Sequence, residues 1–207
     1  MVQIVRKALV VSVIFSLLLI SACSTTQKST HSSRTPVEQL LHSEAIAKSL
    51  TRQTHDDLPI PQGAKVAVST AGLSADNAFV GDIVSGWLGN QGYLLESPEN
   101  AQFRIHIVVN ALGTEFDETF FGIPPINSTL IPISTPELSF YKSQNQTGYS
   151  NFYLNIFEHP SGRFVFSSAP YLAETFYNDY TILLLIKFHK TDLRHPPKSK
   201  SLSRMVE

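Results

Sequence analysis

Cys23 is the only cysteine in 207 residues, so no disulfide can form within the chain and any fold must stand on its hydrophobic core. The constraint is sharp because the same cysteine closes what reads as an export signal. Arg6 and Lys7 precede an uncharged stretch, Ala8 to Ile20, and the small residues Ser21 and Ala22 follow it. Thirteen residues are too few to span a bilayer as a stable helix and match the core of a signal peptide. Exported domains commonly rely on disulfides, and this one has no second thiol with which to make one.

Ile20-Ser21-Ala22-Cys23 resembles the lipobox of bacterial lipoproteins. The resemblance implies cleavage of residues 1–22, a diacylglyceryl group on the Cys23 thiol and an acylated new amino terminus. Each buried methylene contributes about 0.8 kcal/mol, so two or three acyl chains hold a protein on a membrane almost permanently. The sorting rule that accompanies this pattern retains lipoproteins with Asp after the cysteine in the inner membrane. Ser24 at that position therefore points to the outer membrane, with the chain facing the periplasm. A cysteine committed to lipid also removes thiol catalysis and thiolate metal sites.

Cleavage leaves 185 residues with 14 Lys and Arg against 17 Asp and Glu, a net charge of −3. That length suits one domain that buries roughly two-thirds of its unfolded surface. The weak acidity gives no support to nucleic-acid binding, which needs a clustered basic face. Ser24 to Arg34 is polar and without apolar periodicity, so residues 23–34 read as the lipidated cysteine and a flexible tether. Eleven such residues would reach roughly 17–20 Å as a random coil.

The domain is expected over residues 35–193. Thr35-Pro36-Val37-Glu38 is a capping box with proline at the first helical position, and Val37, Leu40, Leu41, Ala45 and Leu50 continue it as a helical stripe. Lys65 to Thr70 predicts a strand, and Asp76 to Gln91 a second helix. Gly81, Gly86 and Gly89 within that helix are tolerable only where a sheet or another backbone comes close, since each costs up to about 1 kcal/mol. Strands are predicted at Tyr93 to Leu95, Phe103 to Asn110, Glu137 to Lys142, Tyr149 to Phe157, Arg163 to Ser167 and Thr181 to Phe188. Gln144 to Gly148 and His159 to Gly162 read as turns. The order predicts an α+β fold: two helices packed on one face of a mixed, mostly antiparallel sheet of about five to six strands. Residues 194–207 read as a disordered tail, solvated or in contact with anionic lipid.

Chemistry is sparse in this sequence. Glu115, Asp117 and Glu118 form the densest acidic cluster, and Glu115 and Asp117 would share one face of a strand. A solvated strand end is the simpler reading. His106, beside Arg104, is the best placed of seven scattered histidines, none at paired metal spacing. No serine-hydrolase motif or phosphate-binding glycine loop occurs, so neither a catalytic residue nor a metal or other cofactor is expected. One segment stands apart: Thr119 to Pro136 has eighteen residues, four prolines and no charge. It reads as a loop, either folded over the core or offering an apolar patch to a partner or membrane. Phe120, Phe121, Ile123, Ile126, Leu130 and Ile131 are its candidate contact residues.

Taken with the lipobox, the run from Ser33 to Leu50, the strand entry Gly63 to Val68, FGIPP at Phe121 to Pro125 and TPEL at Thr135 to Leu138 resemble an uncharacterised family of bacterial envelope lipoproteins, a domain of unknown function. The resemblance covers most of residues 33–193 and implies an envelope address without an activity. A weaker likeness, in the order of elements alone, connects the chain to penicillin-binding-protein activators and curli-secretion lipoproteins. The expectation is a non-enzymatic outer-membrane lipoprotein that binds or helps assemble another envelope component. A homo-oligomeric secretion or pore component is the alternative, and an envelope hydrolase using Glu115 or Asp117 a distant third.

Overall fold

The computed structural model describes residues 34–52, 58–124 and 137–196, together with the backbone of 24–27, 126–127 and 134–135. The expected signal peptide (1–22), Cys23 and most of the expected tail lie outside the described residues. The fold is α+β, with two helices on one face of a mixed, mostly antiparallel sheet.

β1 (Ser24–Gln27) is followed by α1 (Pro36–Arg52), β2 (Lys65–Gly72), α2 (Asn77–Asn90) and β3 (Leu94–Leu95). β4 (Phe103–Ile123) and β7 (Leu138–Glu158) are the two longest strands, with the short pair β5 (Ile126–Asn127) and β6 (Ser134–Thr135) between them. β8 (Phe164–Ser167), β9 (Tyr171–Ile182) and β10 (Ile186–Thr191) complete the chain. Six strands run side by side in the order β10-β9-β7-β4-β2-β3; β1 pairs with β4 and β8 with β7. β2 is parallel to both β3 and β4, and the other pairings are antiparallel.

The capping box at α1 forms as the sequence predicts. The Thr35 amide donates to Glu38 Oε2 at 2.6 Å, and the Glu38 amide donates to Thr35 Oγ1 at 3.3 Å. Both helices lie on the same core. Ile46 and Leu50 of α1 and Val80, Val84 and Leu88 of α2 are buried against Ile105, Ile107, Phe152, Leu154, Ile156 and Tyr171 of the sheet. Each such side chain contributes about 1.5–3 kcal/mol of burial. Of the α2 glycines, only Gly81 meets the close approach expected of all three. A Cβ there would stand 2.8 Å from Thr70 Cγ2, whereas nothing lies within 4 Å of one at Gly86 or Gly89.

Three stretches depart from the sequence reading. Gln144 to Gly148 is no turn: β7 runs unbroken through it, because β4 and β9 pair with it on both sides. Thr181 to Phe188 is not one strand but the end of β9, a loop at Leu183–Leu185 and the start of β10. Most of β9 was not legible, since Tyr171 to Tyr180 mixes apolar and charged positions. Thr119 to Ile123 belongs to β4 and not to a loop. All four prolines of the uncharged segment come after Ile123, so nothing in its first five residues prevents pairing.

The tether is also shorter than expected. Ser24–Gln27 pair antiparallel with β4, Ser24 opposite Phe120 and Gln27 opposite Asp117. Thr25 and Thr26, β-branched, suit an extended strand, and β4 offers an open edge there beyond the end of β2.

Candidate functional site

Strand length creates the site. Twenty-one residues of β4 or β7 extend about 65–70 Å, whereas the seventeen of α1 rise only about 26 Å. The sheet therefore runs on past the helices as an arm made of β4, β7, β9 and β10, with β1 along part of its edge. Register places the side chains of this arm in rows, alternately on the helix side and on the opposite face.

On the helix side, Glu118, Gln144, Asp179 and His189 lie opposite one another across four strands. Gln144 Nε2 donates to Glu118 Oε2 at 2.7 Å. Burial pushes the Asp179 carboxyl up; the nearby His189 and a hydrogen bond from Tyr177 pull the other way. The Tyr177 phenol is raised in turn, by burial first and then by the charge of Asp179, and its ring stacks on His189 at 5.8 Å. This row links β4, β7, β9 and β10 across the arm. One row further out, Lys142 ties Glu137 (2.9 Å) and Glu118 (3.7 Å) together above the Phe120 ring, 5.9 Å from its centroid.

The opposite face changes character along its length. Near the core it is mixed: Ser69 Oγ and His106 Nδ1 meet at 2.9 Å with Asn155 opposite His106, and Tyr153, Phe157 and the exposed Leu172 share that face. Further along come Asp117, Asn145, Asn178 and Lys190, then Thr119, Ser143, Tyr180 and Phe188. The last complete row is Phe121, Tyr141, Ile182 and Ile186, apolar or aromatic at all four positions. Phe121 is 45 % exposed and Ile186 56 %, and the Leu183–Leu185 loop beside them reaches 81 % at Leu185. Leu183 and Leu184 donate backbone hydrogen bonds to Phe140 O and Ser139 O at 2.9 and 3.0 Å, which holds the loop against the start of β7.

The sequence-derived candidates divide over this arm. Phe120 points to the helix side beneath Lys142, whereas Phe121 and Ile123 are exposed on the opposite face. Ile126 is in β5, where only the backbone is described. Leu130 and Ile131 lie outside the described residues. Glu115 and Asp117 do share a face, as expected, and are exposed. Glu115 borders a shallow open groove with Leu73, Asn110 and Tyr149, and Glu118 faces the other way. Among the described residues no group of three His, Cys, Asp or Glu is placed to hold a metal ion.

Sequence reasoning missed Tyr141, Ile182 and the Leu183–Ile186 run as partners of Phe121. The signal was present: Ile182 to Ile186 is an unbroken apolar run, five residues with no alternation and hence no wet face. β1 supplies the remaining element. It runs antiparallel to β4, so its beginning at Ser24 is the end nearest the apolar row. One peptide unit, about 3.8 Å between Cα atoms, separates Ser24 from Cys23.

No protein-family model matches the sequence, and no curated protein matches it.

Proposed function

We propose that the chain is an outer-membrane lipoprotein, anchored through an acylated Cys23, whose periplasmic domain binds or helps assemble another envelope component without catalysing a reaction. The lipobox-like Ile20 to Cys23 and Ser24 after it support the address. The observation that carries the reading is the pairing of Ser24–Gln27 with β4. A lipid placed one residue before a strand of the sheet does more than tether. It fixes which end of the domain faces the membrane and which surfaces stand clear of it for a partner.

The test is crosslinking in fractionated cells, wild type against Cys23→Ala. The expected result is wild-type protein in the outer membrane, crosslinked to one dominant envelope protein that the variant loses. Wild type found free in the periplasm, or a partner retained in full by Cys23→Ala, would overturn the reading. Crosslinks to its own copies alone would favour a homo-oligomeric assembly.

A further inference from the structure

We infer that the row Phe121, Tyr141, Ile182 and Ile186, together with the Leu183–Leu185 loop, lies in the polar–apolar boundary of the bilayer as a second membrane contact beside the anchor. The inference rests on the reading that Cys23 is acylated, and it assigns this apolar end to lipid and not to the protein partner.

Position selects the occupant. β1 delivers the chain toward the end of the sheet where these side chains are exposed, and Cys23 is one residue beyond it. Acyl chains entering a bilayer from that point bring the apolar row to the same surface. A protein partner there would have to fit between the domain and the membrane that holds it.

The ordering of side chains agrees with a shallow insertion. Residues two apart on a strand are separated by about 6.5–7 Å. Behind the apolar row, at about that distance, come Tyr180 and Phe188, stacked at 5.0 Å, and then Asp117, Asn145 and Lys190. Aromatic and amphipathic side chains occupy the headgroup level of membrane proteins, with charges outside it. Lys187, one residue from Ile186 on the other face, can reach anionic headgroups by extending its stem. Among the described residues β10 is an edge strand with one side unpaired, so the arm meets the interface with its side chains and does not cross the hydrocarbon.

The loop carries independent weight. Leu183 and Leu184 have φ of 48° and 67°, the left-handed region that glycine and asparagine occupy most easily. Three consecutive leucines held in such a loop, largely in solvent, satisfy neither turn chemistry nor the core. They do satisfy an apolar surface lying against them.

The experiment uses the mature lipidated protein in vesicles of phosphatidylethanolamine and phosphatidylglycerol. With the Cys23 thiol occupied by lipid, Phe121→Cys and Ile186→Cys each give one site for an environment-sensitive fluorophore, and Phe79→Cys on α2 serves as control. The expected result is a blue-shifted emission at positions 121 and 186, quenching by nitroxides on the lipid chains, and a several-fold loss of iodide quenching. The label at position 79 should remain fully open to iodide. Labels at 121 and 186 as open to iodide as the control would overturn the inference while leaving the anchor reading intact. So would protection from iodide without nitroxide quenching, which would mean a protein cover. The mass of the mature wild type reads the anchor separately: an unacylated Cys23 overturns the anchor reading and this inference together.

Discussion

The backbone of Leu41 rests directly on Gly148. A Cβ on the glycine would stand 2.7 Å from both the carbonyl carbon and the carbonyl oxygen of Leu41. Thr175, opposite Gly148 in β9, donates its hydroxyl to the same Leu41 oxygen at 2.8 Å. The contact sets how closely α1 lies on the sheet where the arm begins. Gly148→Ala should therefore lower stability by about 1–3 kcal/mol, the usual cost of overpacking a core. Urea unfolding followed by circular dichroism would show it as a lower midpoint. Gly113→Ala, with nothing within 4 Å of the new methyl, is the control and should leave the midpoint unchanged or raise it slightly.

His42 makes stability depend on pH. It is buried on α1, and its Nδ1 finds no hydrogen-bond partner among the described residues. Burial holds its pKa below the usual 6.5, the Arg34 cation adds to this, and Asp76 and Glu38 oppose it more weakly. In the window between the folded value and 6.5 the unfolded chain binds more protons, so stability rises with pH through that window and is lost on acidification. The slope from one group cannot exceed about 1.4 kcal/mol per pH unit. Thermal unfolding from pH 8 to 5 should show this loss, and His42→Leu should flatten it. The variant should be no less stable than wild type at pH 8, because it also removes an unsatisfied buried nitrogen.

Where periodicity was clean, the sequence was sufficient. The α1 capping box, the Phe103 to Val109 alternation and the Asp76–Gln91 helix all stand as predicted within a residue or two. Glycine was read less well. Gly148 looked like punctuation after Gln144-Asn-Gln-Thr, yet its role is to admit a helix backbone 107 residues earlier in the chain, which no local pattern can reveal. The apolar row failed to appear for the same reason. Phe121, Tyr141, Ile182 and Ile186 come from four strands, and only register brings them level.

Asp192 closes the last hairpin onto the rest of the domain. Its Oδ1 accepts the Phe176 amide at 2.7 Å, and its Oδ2 takes Lys48 Nζ of α1 at 2.6 Å. Lys48 also donates to Glu174 O at 2.8 Å, so one lysine joins helix, strand and C-terminal segment. Removing the carboxylate leaves a backbone amide without its partner, and Asp192→Ala should cost about 1–2 kcal/mol. Hydrogen exchange should accelerate at Phe176 and along β10 while Ile105 and Leu154 in the centre of the sheet stay protected. Uniform acceleration across β4 and β7 would mean that the hairpin is not a separate unit and would refute the local role.

The Leu183–Leu184 pair separates fold from surface. Two leucines at positive φ each cost about 1 kcal/mol against residues suited to that conformation. Leu183→Asn with Leu184→Gly should therefore stabilise the isolated β9–β10 turn, raising the unfolding midpoint by an amount equivalent to about 1–2 kcal/mol. The same change removes two exposed leucines from the apolar end. A gain in stability together with weaker protection of a label at position 186 in vesicles is the expected joint outcome. Stability that falls instead would show that the leucine side chains hold the loop to β7, and that the turn geometry owes its form to packing and not to the membrane-facing role.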